Sequence, residues 1–272
     1  MPILHFSHTL FATFAVFFLM LGLQGCKSKS LGLNVESEVG VVTILGEFHG
    51  TQEISSILNE TVATSKLRGP VAIGLEVPNC ALSRAIPNNL LLSLPGDNER
   101  PCDYSGMVEG RISSGLVATL NNLLADKTIK VFGIENGHGR ANDDWDSNVW
   151  EGLVANRIEA VASEGYEVVV VTGNLHARKG NYTFGGQTTT AFAARLSTKS
   201  ISVLIVPRKA GEAFMCASVG DCKKNTVPAS SQALATDGMN CDVDTKNFDC
   251  VYTVPTYTAS KPLVPQVWKT EH

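Results

Sequence analysis

Four short segments share one arrangement, an apolar run followed by a glycine and, one to three residues later, a side chain able to move a proton or hold a metal. They are Gly46-Glu47-Phe48-His49, Gly74-Leu75-Glu76, Gly133-Ile134-Glu135-Asn136 and Gly173-Asn174-Leu175-His176. Glycine lets a chain turn sharply or come close to a ligand, so the imidazole or carboxylate that follows is delivered into a crevice. Gathered in one mouth, His49, His176, Glu47, Glu76 and Glu135 suit two chemistries. Neutral imidazoles with carboxylates bind a divalent metal (Zn, Mn, Co or Fe) that activates a water. Alternatively a His and Glu pair acts without metal, as general base and orienter for the attacking water. A single GxxH arises often by chance, and one histidine at a strand exit can simply satisfy a backbone carbonyl. Its recurrence at 173–176, again after an apolar run, is what makes the pair a candidate site.

The elements that must position these groups are legible. Apolar, β-branched runs at 39–45, 71–75, 129–134, 167–172 and 201–206 suit strands buried on both faces. Between them, 53–66, 113–126, 149–164 and 188–197 carry helical spacing. Strands alternating with helices predict an α/β domain over 39–208, a mostly parallel central sheet flanked by helices with right-handed crossovers. In such sheets ligands bind beyond the carboxyl ends of the strands, where all four glycine turns fall. Residues 79–110, rich in Pro, Asn, Gly and Asp, break the alternation as a long insertion, and from about 209 onward the chain reads as loops and short strands in a cysteine-rich C-terminal extension. No internal repeat of solenoid period is present.

These motifs resemble those of a known group: the Tiki, TraB and PrgY proteins, the ChaN-like haem-binding lipoproteins and the erythromycin-esterase-like hydrolases. Its signature is two GxxH motifs flanking an acidic strand end, matched here by GEFH at 46–49, GLE at 74–76 and GNLH at 173–176. The resemblance spans 39–206. It implies that His49, Glu76 and His176 are metal-binding or water-activating residues, with Glu47 a candidate base or ligand. Members carry an arginine in the helix before the last motif; Arg157 sits suitably and would neutralise a carboxylate or stabilise an oxyanion. The helix lacks the fuller arginine-acid-methionine pattern of several members, and neither the cysteine-braced insertion nor the cysteine-rich tail maps onto the group. The resemblance implies either a hydrolase or a haem or metal-chelate carrier, for which His or Tyr would serve as axial ligand.

Other polar residues have plainer readings beside the functional one. Asn174 within GNLH, Glu135, and His138 in Gly137-His138-Gly139-Arg140 are candidate cofactor-binding residues, although a histidine in a glycine-rich loop is commonly plain surface. Asp143, Asp144 and Asp146 lack the spacing of a calcium loop and precede a helix, where acids cap and favour the dipole. Arg178 and Lys179 beside His176 either attract an anionic substrate or belong to a solvated loop. Trp145 and Trp150 read as core or rim. Asn59-Glu60-Thr61 and Asn181-Tyr182-Thr183 fit the glycosylation sequon, which has no bearing on a bacterial lipoprotein.

The N-terminus reads as an export leader. Residues 9–23 are an apolar run too short to span a bilayer and of signal-peptide length, ending at Leu23-Gln24-Gly25-Cys26. No Lys or Arg precedes it, and Gln24 fits imperfectly, but the four residues resemble the bacterial lipobox. That resemblance implies a lipid on Cys26, a tether over 26–38 and, with no Asp after Cys26, the outer membrane. About 245 residues then remain, enough for one domain. The net charge of −4 and the lack of a basic run exclude a nucleic-acid partner. Six further cysteines without a CxxC argue for disulfides over a thiolate zinc site. Cys80 pairs with Cys102 by proximity, and Cys216, Cys222, Cys241 and Cys250 pair among themselves, nested or sequential. The expected protein is a membrane-anchored hydrolase of small-molecule or peptide substrates or, alternatively, a haem-binding lipoprotein.

Overall fold

The computed structural model describes residues 40–97, 102, 110–135, 146–216, 222–243 and 245–263. The leader, Cys26, His138, Asp143, Asp144 and Trp145 lie outside these residues. In chain order the elements are strand β1 (Val42–Glu47), helix α1 (Glu53–Ser65), β2 (Val71–Pro78), the single-turn helix α2 (Asn79–Leu82), α3 (Ser114–Leu123), β3 (Ile129–Glu135), α4 (Ser147–Ser163) and β4 (Glu167–Gly173). A hairpin of β5 (Asn181–Phe184) and β6 (Gln187–Thr190) follows, then β7 (Ser200–Pro207), a second hairpin of β8 (Gly211–Cys216) and β9 (Cys222–Val227), and finally β10 (Gly238–Asn240) and β11 (Cys250–Val254).

The central sheet has seven strands in the order β10-β11-β7-β1-β4-β2-β3, and every pairing except β10 with β11 is parallel. Parallel strands need crossovers that cover both faces, which is why β1, β2 and β4 are buried at every residue. Alternate residues divide between two cores. Leu45, Ile73, Leu75, Val169, Val171 and Val203 face α1 and α3, packing on Ile57, Leu58, Val62, Leu116 and Leu120. Ile44, Ala72, Val168, Val170 and Leu204 face α4, packing on Trp150, Val154, Ile158 and Val161. Two helix starts are sealed locally: at α3 the Ser113 hydroxyl accepts from the Leu116 amide, and at α4 the Asp146 carboxylate accepts from the amides of Asn148 and Val149. Asp146 is thus the cap expected of it, and Trp150 is core.

One sequence expectation gives way. Residues 188–197 were expected to be helical, yet they hold β6 and a short 3-10 turn at Phe192–Ala194. The β-branched run Thr188-Thr189-Thr190 pairs with β5 across Gly185-Gly186, whose φ values of 58° and 83° only glycine adopts readily. The extension beyond 209 adds a strand to the domain, because β11 joins the central sheet parallel to β7. Its later residues brace the turn after β1: the Gly50 carbonyl accepts from the amides of Phe214 and Ser260.

The disulfides join Cys80 to Cys102, Cys216 to Cys222 and Cys241 to Cys250, so the late four pair sequentially. Three such bonds are the mark of a chain that folds in an oxidising compartment, periplasmic or extracellular. Among the described residues no helix is long and apolar enough to cross a membrane.

Candidate active site

The strand order makes neighbours of the glycine turns. At the carboxyl edge the sequence β1, β4, β2, β3 runs across the sheet, setting Glu47 and His49, then His176, then Glu76, then Glu135 side by side. Three local devices aim them. Glu76 sits where the β2–β3 register slips between Leu75 and Pro78, a bulge that redirects its carboxylate over the end of β4. There Oε2 accepts from the Thr172 hydroxyl at 2.6 Å and the Gly173 amide at 2.8 Å. Beyond β4, one helical turn, with the amides of His176 and Ala177 both donating to the Gly173 carbonyl, lifts His176 over the edge. At Gly173 a Cβ would lie 3.0 Å from His49 Nε2, so a side chain there would press on the imidazole.

The imidazoles meet at Glu76. His49 Nε2 lies 3.6 Å from Glu76 Oε2, and His176 Nε2 lies 3.8 Å from Glu76 Oε1. Both separations exceed a direct hydrogen bond and suit a site that tightens around, or is bridged by, a water. Each Nδ1 has a carboxylate of its own. His49 Nδ1 is 3.3 Å from Glu47 Oε1, while His176 Nδ1 is 2.6 Å from Glu151 Oε1. Glu151, fully buried in the first turns of α4, also accepts from the Tyr182 hydroxyl at 2.7 Å and the Phe192 amide at 2.7 Å. An anion so placed fixes the proton of His176 on Nδ1 and leaves Nε2 as the acceptor.

The electrostatics follow from burial. Burial works upward on Glu76, but His176, His49 and Arg111 outweigh it and hold the carboxyl well below the usual range. Burial works against charge on His49 as well, yet the carboxylates of Glu76 and Glu47 push it up to about 9. For Glu47 burial prevails over His49 and raises the carboxyl above its ordinary value. His49 is therefore an imidazolium and Glu76 an ionised carboxylate at neutral pH.

Not every expected residue joins it. Arg157 is committed elsewhere: Nε donates to the Gly133 carbonyl at 3.2 Å, Nη1 to Pro95 O at 3.0 Å and Nη2 to Asp97 Oδ1 at 2.5 Å. It clamps the insertion onto β3. The arginine beside the carboxylates is Arg111, with Nη1 2.8 Å from Glu135 Oε1 and 3.7 Å from Glu76 Oε1. Glu135 thus reaches the cluster through Arg111, and Asn174 lines a cleft to one side. Sequence reasoning missed Arg111, Glu151 and Tyr182. Glu151 alone left a trace, since it shares a helix face with the apolar Val154 and Ile158, at spacings of three and seven.

A divalent ion needs several converging donors that are free to bind it. Among the described residues no group of three or more His, Cys, Asp or Glu is arranged to hold one. Glu76 Oε2 is already occupied by two donors, and a guanidinium stands beside Oε1. The arrangement does not fit a metal.

No protein-family model matches the chain, and no curated protein does. Solved structures do. A histidine variant of an erythromycin esterase in its open conformation superposes with a TM-score of 0.58 at 11% identity, covering 84% of this chain and 93% of that one. A succinoglycan biosynthesis protein gives 0.58 at 10% identity, over 82% and 89% of the two chains. A Bacillus cereus protein gives 0.53 at 9%, over 84% and 90%. At such identities the likeness is one of architecture, and in architecture this chain shares the fold of an erythromycin esterase.

Proposed function

We propose that this protein is a hydrolase of ester or amide bonds, working through its two strand-exit histidines and tethered to the cell envelope by a lipid on Cys26. The observation that carries the reading is the convergence of both Nε2 atoms on Glu76, at 3.6 and 3.8 Å, while each Nδ1 is engaged by a different carboxylate. His176, oriented by Glu151, takes a proton from a water held against Glu76. The water oxygen attacks the substrate carbonyl carbon, and the charge that develops on the carbonyl oxygen is met by the His49 imidazolium. Collapse breaks the bond to the leaving oxygen or nitrogen, which accepts the proton from His176. Acid and alcohol, or acid and amine, depart.

Turnover of a panel of aryl esters and peptides by the purified protein, compared with His49→Ala and His176→Ala, tests this reading. Activity that persists in both variants refutes it. A shifted Soret band on haem titration, without turnover, would replace it with the carrier reading. The lipobox resemblance and the three disulfides support the envelope location. Incorporation of labelled palmitate, lost in Cys26→Ser, checks the tether.

A further inference from the structure

A cleft of about 320 Å³ opens on the β7 side of the cluster. Its walls come from the same two turns that carry the histidines, with Phe48 from the first and Asn174 and Arg178 from the second. Leu204 and Val206 from the end of β7, together with Phe248, complete an apolar floor, and the last residue of β9 with the segment after it, residues 227–232, forms the far lip. Phe48 is itself braced: its ring centroid lies 6.0 Å from that of Tyr257, whose hydroxyl donates to the Ile205 carbonyl at 2.6 Å.

Arg178 is the unusual member. Other arginines of the fold are spent on partners, Arg68 on Glu167, Arg111 on Glu135, Arg157 on Asp97 and Arg208 on Asp237. Arg178 is half-buried, and its Nε is sealed from solvent with no hydrogen-bond partner. The sealed Nε leaves the charge of the guanidinium to be met on the side that lines the cleft, where an anionic ligand gains a charge-assisted hydrogen bond. None of the described residues lining the cleft is acidic. Its volume falls at the small end of the range for small-molecule sites.

We propose that this cleft is the recognition subsite of the enzyme, taking a substrate with an apolar body and an oxyanion, a carboxylate or phosphate, that the Arg178 guanidinium clasps. The apolar body lies over Phe48, Phe248 and the end of β7, and the scissile carbonyl projects past residues 48 and 174 toward the histidines. The catalytic consequence rests on the hydrolytic reading above; the binding does not.

Two fluorescent probes of one shape separate the contributions: anilinonaphthalene sulfonate, apolar and anionic, and phenylnaphthylamine, its neutral counterpart. The full-length protein is expected to bind the sulfonate saturably at one site and more tightly than the amine. Arg178→Gln weakens the sulfonate about tenfold, the scale of one charge-assisted hydrogen bond, and Arg178→Lys recovers part of the loss. Ala229→Trp, on the exposed lip, removes both probes. Sulfonate binding unaltered in Arg178→Gln, or probe binding indifferent to Ala229→Trp, overturns the proposal. In a hydrolytic arm, the preference for an aryl hemiglutarate over the matched aryl valerate falls about tenfold in Arg178→Gln. If neither ester is cleaved while the probe results hold, the hydrolytic reading fails and the subsite stands.

Discussion

The two ends of the central sheet both bury carboxylates, and they treat them differently. At the amino end Glu167 is fully buried and fully answered: Oε2 receives Arg68 through Nη2 at 2.7 Å and Nε at 2.8 Å, and Oε1 receives the Gly40 amide at 3.2 Å. At the carboxyl end Glu47, Glu76 and Glu151 are as deeply buried, but each has an imidazole among its partners, and the two Nε2 edges face Glu76 across more than a hydrogen-bond length. A saturated pair fastens chain to chain. A cluster held rigid on its outer sides, with a gap at its centre, keeps place for a reactant. Burial of charge alone thus does not mark a site; the distribution of partners around it does.

Substitutions at the two ends should separate accordingly. The largest effect on turnover is expected from His176→Ala and His49→Ala, each lowering kcat/KM by roughly 10²- to 10⁴-fold. At the opposite end Arg68→Met should do the reverse, destabilising the fold by about 3–5 kcal/mol in urea titration because Glu167 is left buried and unanswered, while kcat holds. An equal loss of kcat in Arg68→Met and His176→Ala would erase the distinction. Glu151→Gln keeps the shape of the carboxylate but not its charge; turnover should fall about a hundredfold, with rescue by no added base, since tautomer and not access is at fault.

The pH dependence gives a smaller, signed effect. His49 binds its proton more tightly folded than unfolded, so its contribution to stability is complete below about 6.5 and is lost as pH rises through about 9. Glu76 is depressed, so its contribution is present above its ordinary value of 4.5 and is lost as pH falls toward its folded value. Glu47, raised by burial, opposes it and favours the fold in acid. Unfolding titrations across pH 6.5 to 9.5 should therefore show an alkaline decline that His49→Ala abolishes. The smallest expected effect is that of a chelator: turnover after dialysis against EDTA should be unchanged, and restoration by Zn or Mn after a loss would return a metal to the site.

Much of this was written locally. The five buried strands, the turns that end them and the residues His49, His176, Glu76 and Glu135 could be read directly, because a strand buried on both faces is a continuous apolar run and a glycine exit is a local device. Arg111, by contrast, lies in a loop with no periodicity, and Glu151 looks like any helix glutamate until its face is known. Arg157 misled for the same reason: a helix position does not say which of several buried acceptors a long side chain will meet. The turn at Gly185-Gly186 outweighed the apparent helical spacing of the residues after it.

What the sequence alone determined is the chemistry available at each strand end, since residue type and the glycine before it are properties of a few consecutive positions. What only the tertiary structure decided is which ends are neighbours. Strand β4 inserts between β1 and β2, and β11 adds to the far side of β7, through crossovers whose outcome depends on packing across the whole sheet. That order, set by the burial of two apolar faces rather than by any motif, brings two imidazoles 127 positions apart onto one carboxylate.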